Sequence, residues 1–136
     1  MIQLRTRFGT KLIPMKDTFR QMTRNKTERS ATAFITDQAP PPENAFWTTF
    51  LNQDTPVFKG VELMALRFNY PVIFIDVERL KRGYYQVKAA GQIEKSAGTE
   101  EGFISQWHTG ILEEAIQLKP ETWLWSHNRW KHKKPA

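Results

Sequence analysis

Histidine is the side chain best suited to proton transfer near neutral pH, and the chain has three: His108, His127 and His132. None has a Cys or His partner at metal-ligand spacing. The absence of cysteine excludes disulfides, thiolate metal sites and a thiol nucleophile. His108 and Glu113 are separated by four residues, a spacing at which an acid could orient a general base. They fall inside a periodic helical pattern, however, where five residues turn through roughly 500° and leave about 140° between the two side chains. The pair is therefore expected to diverge, His108 as a surface helix residue and Glu113 as a solvated acid. Asp37 is placed differently. It closes an apolar run at the lip of a polar loop, and ligands of open α/β sheets gather at the carboxyl ends of strands; the plain alternative is an ordinary turn aspartate. No Gly-rich phosphate loop and no Gly-x-Ser-x-Gly elbow occurs.

The run Trp123-Leu124-Trp125-Ser126-His127-Asn128-Arg129-Trp130-Lys131 places three tryptophans beside a cationic tail. Such residues suit a membrane–water interface or stacked bases and phosphates, and at least one tryptophan is expected to close the core instead. Charge follows the same geography. Residues 1–29 carry eight basic against two acidic residues, residues 30–118 seven against eleven, and residues 119–136 five against one. Two cationic ends and an anionic middle fit a polyanionic partner, or simply solvated ends.

The elements that must position these groups follow from periodicity and punctuation. Residues 1–8 read as the last turns of a helix, stopped by Gly9 and lacking a start signal, so the helix is expected to begin upstream of Met1. Asp17 to Lys26 reads as a helix with Met15, Phe19 and Met22 on one side. Ala31 to Thr36 reads as a buried strand. Gln38 to Asp54, with three consecutive prolines, reads as a loop. Thr55-Pro56 is expected to open a helix with a stripe of Val57, Val61, Met64 and Phe68. Val72 to Ile75 reads as a strand covered on both faces. A turn at Lys81-Arg82-Gly83 then leads to a return strand from Tyr84 to Ala89. Thr99 is expected to cap a long helix to about Leu118, with the stripe Ile104, Trp107, Ile111, Ala115 and Leu118. The expected architecture is an α/β layered sheet flanked by helices, a single domain over residues 1–136 with an aromatic and basic closing segment at 119–136. No apolar stretch approaches the roughly 20 residues of a membrane span, and the first twenty residues do not form a signal peptide.

The stretch from Pro120 to Lys131 resembles the closing Pro-Glu-x-x-Leu/Trp-Trp-x-His-x-Arg-Trp/Phe-Lys signature of the lipid A biosynthesis acyltransferases, within the glycerolipid acyltransferase superfamily. Other stretches match that family in order: Arg5-Thr6-Arg7-Phe8-Gly9 with Leu12-Ile13-Pro14, then Phe34-Ile35-Thr36-Asp37-Gln38, then Asn44 through Tyr70, then Pro71-Val72-Ile73. The resemblance covers nearly the whole chain and implies the C-terminal half of the glycerolipid acyltransferase fold. It implies transfer of a lauroyl- or myristoyl-like chain from an acyl carrier protein or coenzyme A thioester to a lipid hydroxyl, with no cofactor. The family acts at the cytoplasmic face of the bacterial inner membrane; this chain would be soluble or peripheral there.

Family members run to about twice this length, and their catalytic His with its acid lies in an N-terminal block that no stretch here matches. A general base must reach the proton it removes, and His127 belongs to the closing signature. The chain alone is therefore expected to be inactive. By resemblance, Asp37 is the candidate active-site acid, and Arg5, Arg7, Arg129 and Lys131 are candidate phosphate or headgroup contacts. An apolar sheet edge left open would favour a homo-oligomer. The alternative is a non-catalytic basic and aromatic module that binds nucleic acid or anionic lipid. The ordered matches weigh against nucleic acid.

Overall fold

The glycine and proline punctuation of the first thirty residues sets two short helices. In the computed structural model, which describes residues 2–135, α1 (Ile2–Thr6) ends before Gly9. Gly9 takes φ 85° and donates its N–H to the Thr6 carbonyl at 3.0 Å. Met1, into which this helix is expected to run, lies outside the described residues. Pro14 precedes a 3-10 turn at Met15–Asp17 and then α2 (Thr18–Arg24). Met22 is buried on α2, whereas Met15 and Phe19 are exposed. The chain divides into two compact units, one up to Ala33 and one from Phe34 onward.

The strand expected over 31–36 is absent. These residues have no regular structure, and Phe34 and Ile35 are exposed. A short apolar run becomes a strand only when a neighbour completes its ladder, and this run straddles the junction between the two units.

The loop expected over 38–54 is instead largely a hairpin. After a 3-10 turn at Pro42–Asn44, β1 (Ala45–Phe50) pairs antiparallel with β2 (Gln53–Phe58). The turning residues Leu51 and Asn52 have φ 49° and 59°, the two positive values of a tight hairpin turn. Thr55 and Pro56 consequently lie in β2 rather than at a helix start, and α3 runs from Gly60 to Phe68. Val57 leaves the expected stripe and becomes a fully buried strand residue. Asn69 closes α3 at φ 50°.

The second hairpin forms as expected but longer: β3 (Val72–Lys81) and β4 (Tyr84–Ile93), turned by Gly83 at φ 79°. It is not covered on both faces. Side chains alternate along β3, and Ile73, Ile75 and Val77 are all more than half exposed. The opposite face meets α4 (Phe103–Leu118). There Gly91 is required, because a Cβ would lie 2.7 Å from Trp107 and 2.8 Å from Ile111. Beyond that contact, Glu78 of β3 bonds both Lys88 of β4 and Lys119 after α4, and the two ammonium groups lower its pKa to about 2. The sheets are two separate antiparallel pairs, so the molecule is mixed α/β.

Candidate functional site

The closing segment folds back onto the first hairpin. Trp123 meets the Phe50 ring edge-on at a centroid distance of 6.3 Å, and Trp130 stacks on it at 6.4 Å. The Trp130 indole Nε1 donates to Thr55 Oγ1 at 2.8 Å. Arg129, only 1 % exposed, lays its guanidinium over the same Phe50 ring at 5.0 Å. Its Nη1 donates to the backbone carbonyl of Asp37, across 92 residues of sequence. Two of the signature's tryptophans, Trp123 and Trp130, therefore pack half-buried against the core residue Phe50, while Leu124 and Trp125 remain exposed.

Asp37 sits in a bend of the loop after residue 36, partly buried. Its Oδ1 is enclosed without a hydrogen-bond partner. The carboxylate acts electrostatically on Arg129, opposing the burial that pulls the guanidinium's pKa down.

His108 completes the group. It is buried rather than on the surface, because the face that α4 turns inward is partly polar: Ser105, His108 and Thr109 are buried beside Ile104 and Ile116. Burial lowers the His108 pKa, Arg129 pushes the same way and Glu62 opposes them. The imidazole is therefore neutral at pH 7, and neither ring nitrogen has a partner. His127 Nε2 is likewise enclosed and unpartnered.

Glu62, from α3, was not among the residues singled out by sequence. Its carboxylate accepts the backbone N–H of Gly102 at 2.7 Å and that of Ser105 at 3.2 Å, together with the Ser105 hydroxyl. These are the orphan donors of a helix N-terminus, where a negative charge is favoured. Glu62 thus starts α4, the role expected of Thr99. The Gly102 left-handed turn, φ 89°, is held tight against Phe46, whose ring a Cβ would overlap at 2.4 Å.

The remaining candidates are Lys131, Arg5 and Arg7. Lys131 is exposed at the end of the signature. Arg5 and Arg7 belong to the first unit, both exposed, with the Arg7 guanidinium 5.6 Å from the Phe8 ring centre. Among the described residues no cluster of His and acidic groups is arranged to hold a metal, and no helix is long and apolar enough to cross a membrane.

A family model described as bacterial lipid A biosynthesis acyltransferase matches residues 1–132. The chain belongs to this family. Among curated proteins and among solved structures, none matches it significantly. Family membership makes acyl transfer the general activity, with an acyl donor and a lipid acceptor as substrates. Within this lipid A acyltransferase chain, the closing signature and the Asp-Gln segment are the two motifs that Arg129 ties together.

Proposed function

We propose that this chain is the C-terminal part of a lipid A-type acyltransferase. The whole enzyme moves a fatty acyl group of the lauroyl or myristoyl kind from a thioester of acyl carrier protein or coenzyme A to a lipid hydroxyl. It works at the cytoplasmic face of the bacterial inner membrane, where this part sits peripherally. Asp37 is the active-site acid contributed here. The carrying observation is the Arg129 bond to the Asp37 carbonyl. It fixes the backbone of the acid while leaving Oδ1 unpartnered, so the carboxylate keeps an acceptor for a substrate or for a side chain from the N-terminal half.

Arg129 is occupied in this way, so headgroup contact falls to the exposed Arg5, Arg7 and Lys131. The chemistry needs a general base within hydrogen-bond reach of the acceptor hydroxyl. His108 is walled in, and the family's His–acid block has no counterpart in the sequence, so the chain alone does not turn over. Incubation with an acyl carrier protein thioester and a lysolipid or lipid-linked sugar acceptor tests this: no acyl product is expected. Product formation that Asp37→Ala abolishes would overturn it.

The bare outer face of β3–β4 supports a second element of the reading, association of copies. Ile73, Ile75 and Val77 present an apolar strip beside strand edges unpaired among the described residues. Light scattering should show mass rising with concentration; a constant monomer mass would remove this element.

A further inference from the structure

The β3–β4 hairpin has two faces, and its outer one is apolar in the middle and charged at the ends. Side chains alternate along a strand, and cross-strand partners share a face. The register pairs Ile75 with Ala89, Val77 with Val87 and Arg79 with Tyr85, so these side chains stand with Ile73 on the outer face. Phe74 and Gly91 are paired on the inner one, where Gly91 meets Trp107 and Ile111 of α4. On the outer face Ile73, Ile75, Val77, Tyr85 and Val87 are between 51 % and 65 % exposed. Together they present roughly 600 Å² per copy, so two copies closed on this face would bury about 1,200 Å², which is the lower end for a stable interface.

No charge interrupts this strip. Arg79 stands at the turn end, where Lys81 and Arg82 follow it, and Glu94 comes directly after the last residue of β4 at the opposite end; all four are exposed. Lys95, next to Glu94, offsets the charge of that end but does not reverse it. Ile73 is level with Gln92, which puts Glu94 level with residue 71. Ile75 is therefore midway between the arginine and the acid. Among the described residues neither Arg79 nor Glu94 forms an ion pair.

We infer that this face binds the same face of a second copy, with the two hairpins antiparallel about a two-fold axis at Ile75. Such an interface is self-complementary. Val77 lies over the partner's Ile73, and Arg79 over the partner's Glu94, displaced sideways by one strand spacing of about 5 Å. The same ion pair recurs at the other end. A parallel pairing would instead stack Arg79, Lys81 and Arg82 on their own equivalents, so charge selects the antiparallel orientation. The inference rests on the association of copies in the preceding reading and names its surface and geometry.

The test is sedimentation equilibrium of the full chain and its variants over a concentration series. Wild type should fit a monomer–dimer equilibrium. Val77→Lys, which drives an ammonium group into the closed face, should weaken dimerisation about a hundredfold or more. Arg79→Glu and Glu94→Arg each turn two attractions into repulsions and should each weaken it about fivefold. Both changes in one chain should return it to within about twofold of wild type, because the pairs re-form with their signs exchanged. The two positions are exposed, and circular dichroism checks that every variant keeps its fold. A monomer at all concentrations would overturn the inference and the association of copies with it. Open-ended growth of mass, a dimer indifferent to Val77→Lys or to the single charge reversals, or one that the double reversal fails to restore would overturn the inference alone, leaving the strand edges as the mode of association.

Discussion

Glu62 and His108 lie along the same buried seam of α4, and the protein treats them in opposite ways. Glu62, 4 % exposed, accepts three hydrogen bonds. His108, 7 % exposed, makes none through its ring. Both are polar groups taken out of water, which costs free energy unless a partner restores the lost bonds. At Glu62 the α4 N-terminus supplies that restoration, and the carboxylate becomes part of the fold. At His108 nothing does, and burial is tolerated because the imidazole remains neutral. The difference separates a polar group that builds structure from one that the structure merely carries. Asp37 and His127 extend the second category, each with an enclosed side-chain atom lacking a partner, whereas Arg129 stands between the two, its Nε unpartnered but its Nη1 bonded to the Asp37 carbonyl.

Breaking the satisfied end should have the largest effect. Glu62→Leu removes the acceptor for Gly102 and Ser105 and leaves their N–H groups orphaned. Urea unfolding should show a loss of about 3 kcal/mol or more, with α4 helicity reduced. Arg129→Met comes next. It keeps apolar contact with Phe50 but gives up the cation–π interaction and the Asp37 tie, for a loss of about 2 kcal/mol. Tryptophan emission should shift as Trp123 and Trp130 loosen around Phe50.

His108→Leu should have the smallest effect at pH 7, neutral or slightly stabilising, since no hydrogen bond is lost. Its signature is in the pH dependence. The folded-state pKa of His108 is depressed below the ordinary 6.5, so below that pH the unfolded chain binds the proton more readily than the folded one. Stability present above 6.5 is therefore lost as pH falls toward the folded pKa. Wild type should weaken through that window, and His108→Leu should lose that part of the decline. Parallel pH profiles would show that the buried imidazole is not responsible.

Legibility in the sequence divided along similar lines. The closing signature was readable because its residues are contiguous, and α4 and the β3–β4 hairpin because period and Gly83 mark them. The β1–β2 hairpin was hidden by its turn. Leu51 and Asn52 supply two positive φ values without a glycine, and Pro56 opposite Trp47 argues against a strand. The run at 31–36 misled in the other direction, because strand composition cannot provide a pairing neighbour. His108 was misplaced because an apolar stripe describes only part of a buried face. Its polar remainder is set by Glu62 and Arg129, far away in sequence. Asp37 was found as a candidate by position, but the Arg129 contact that holds it joins segments 92 residues apart, which no local pattern encodes.

The most direct test of the account is complementation. The chain is mixed with a separate polypeptide carrying the family's N-terminal His–acid block, and transfer from an acyl carrier protein thioester to the lipid acceptor is followed. The account predicts activity in the mixture, none in either part alone, and its loss with Asp37→Ala. No gain on mixing folded parts, or a gain indifferent to Asp37, would contradict it.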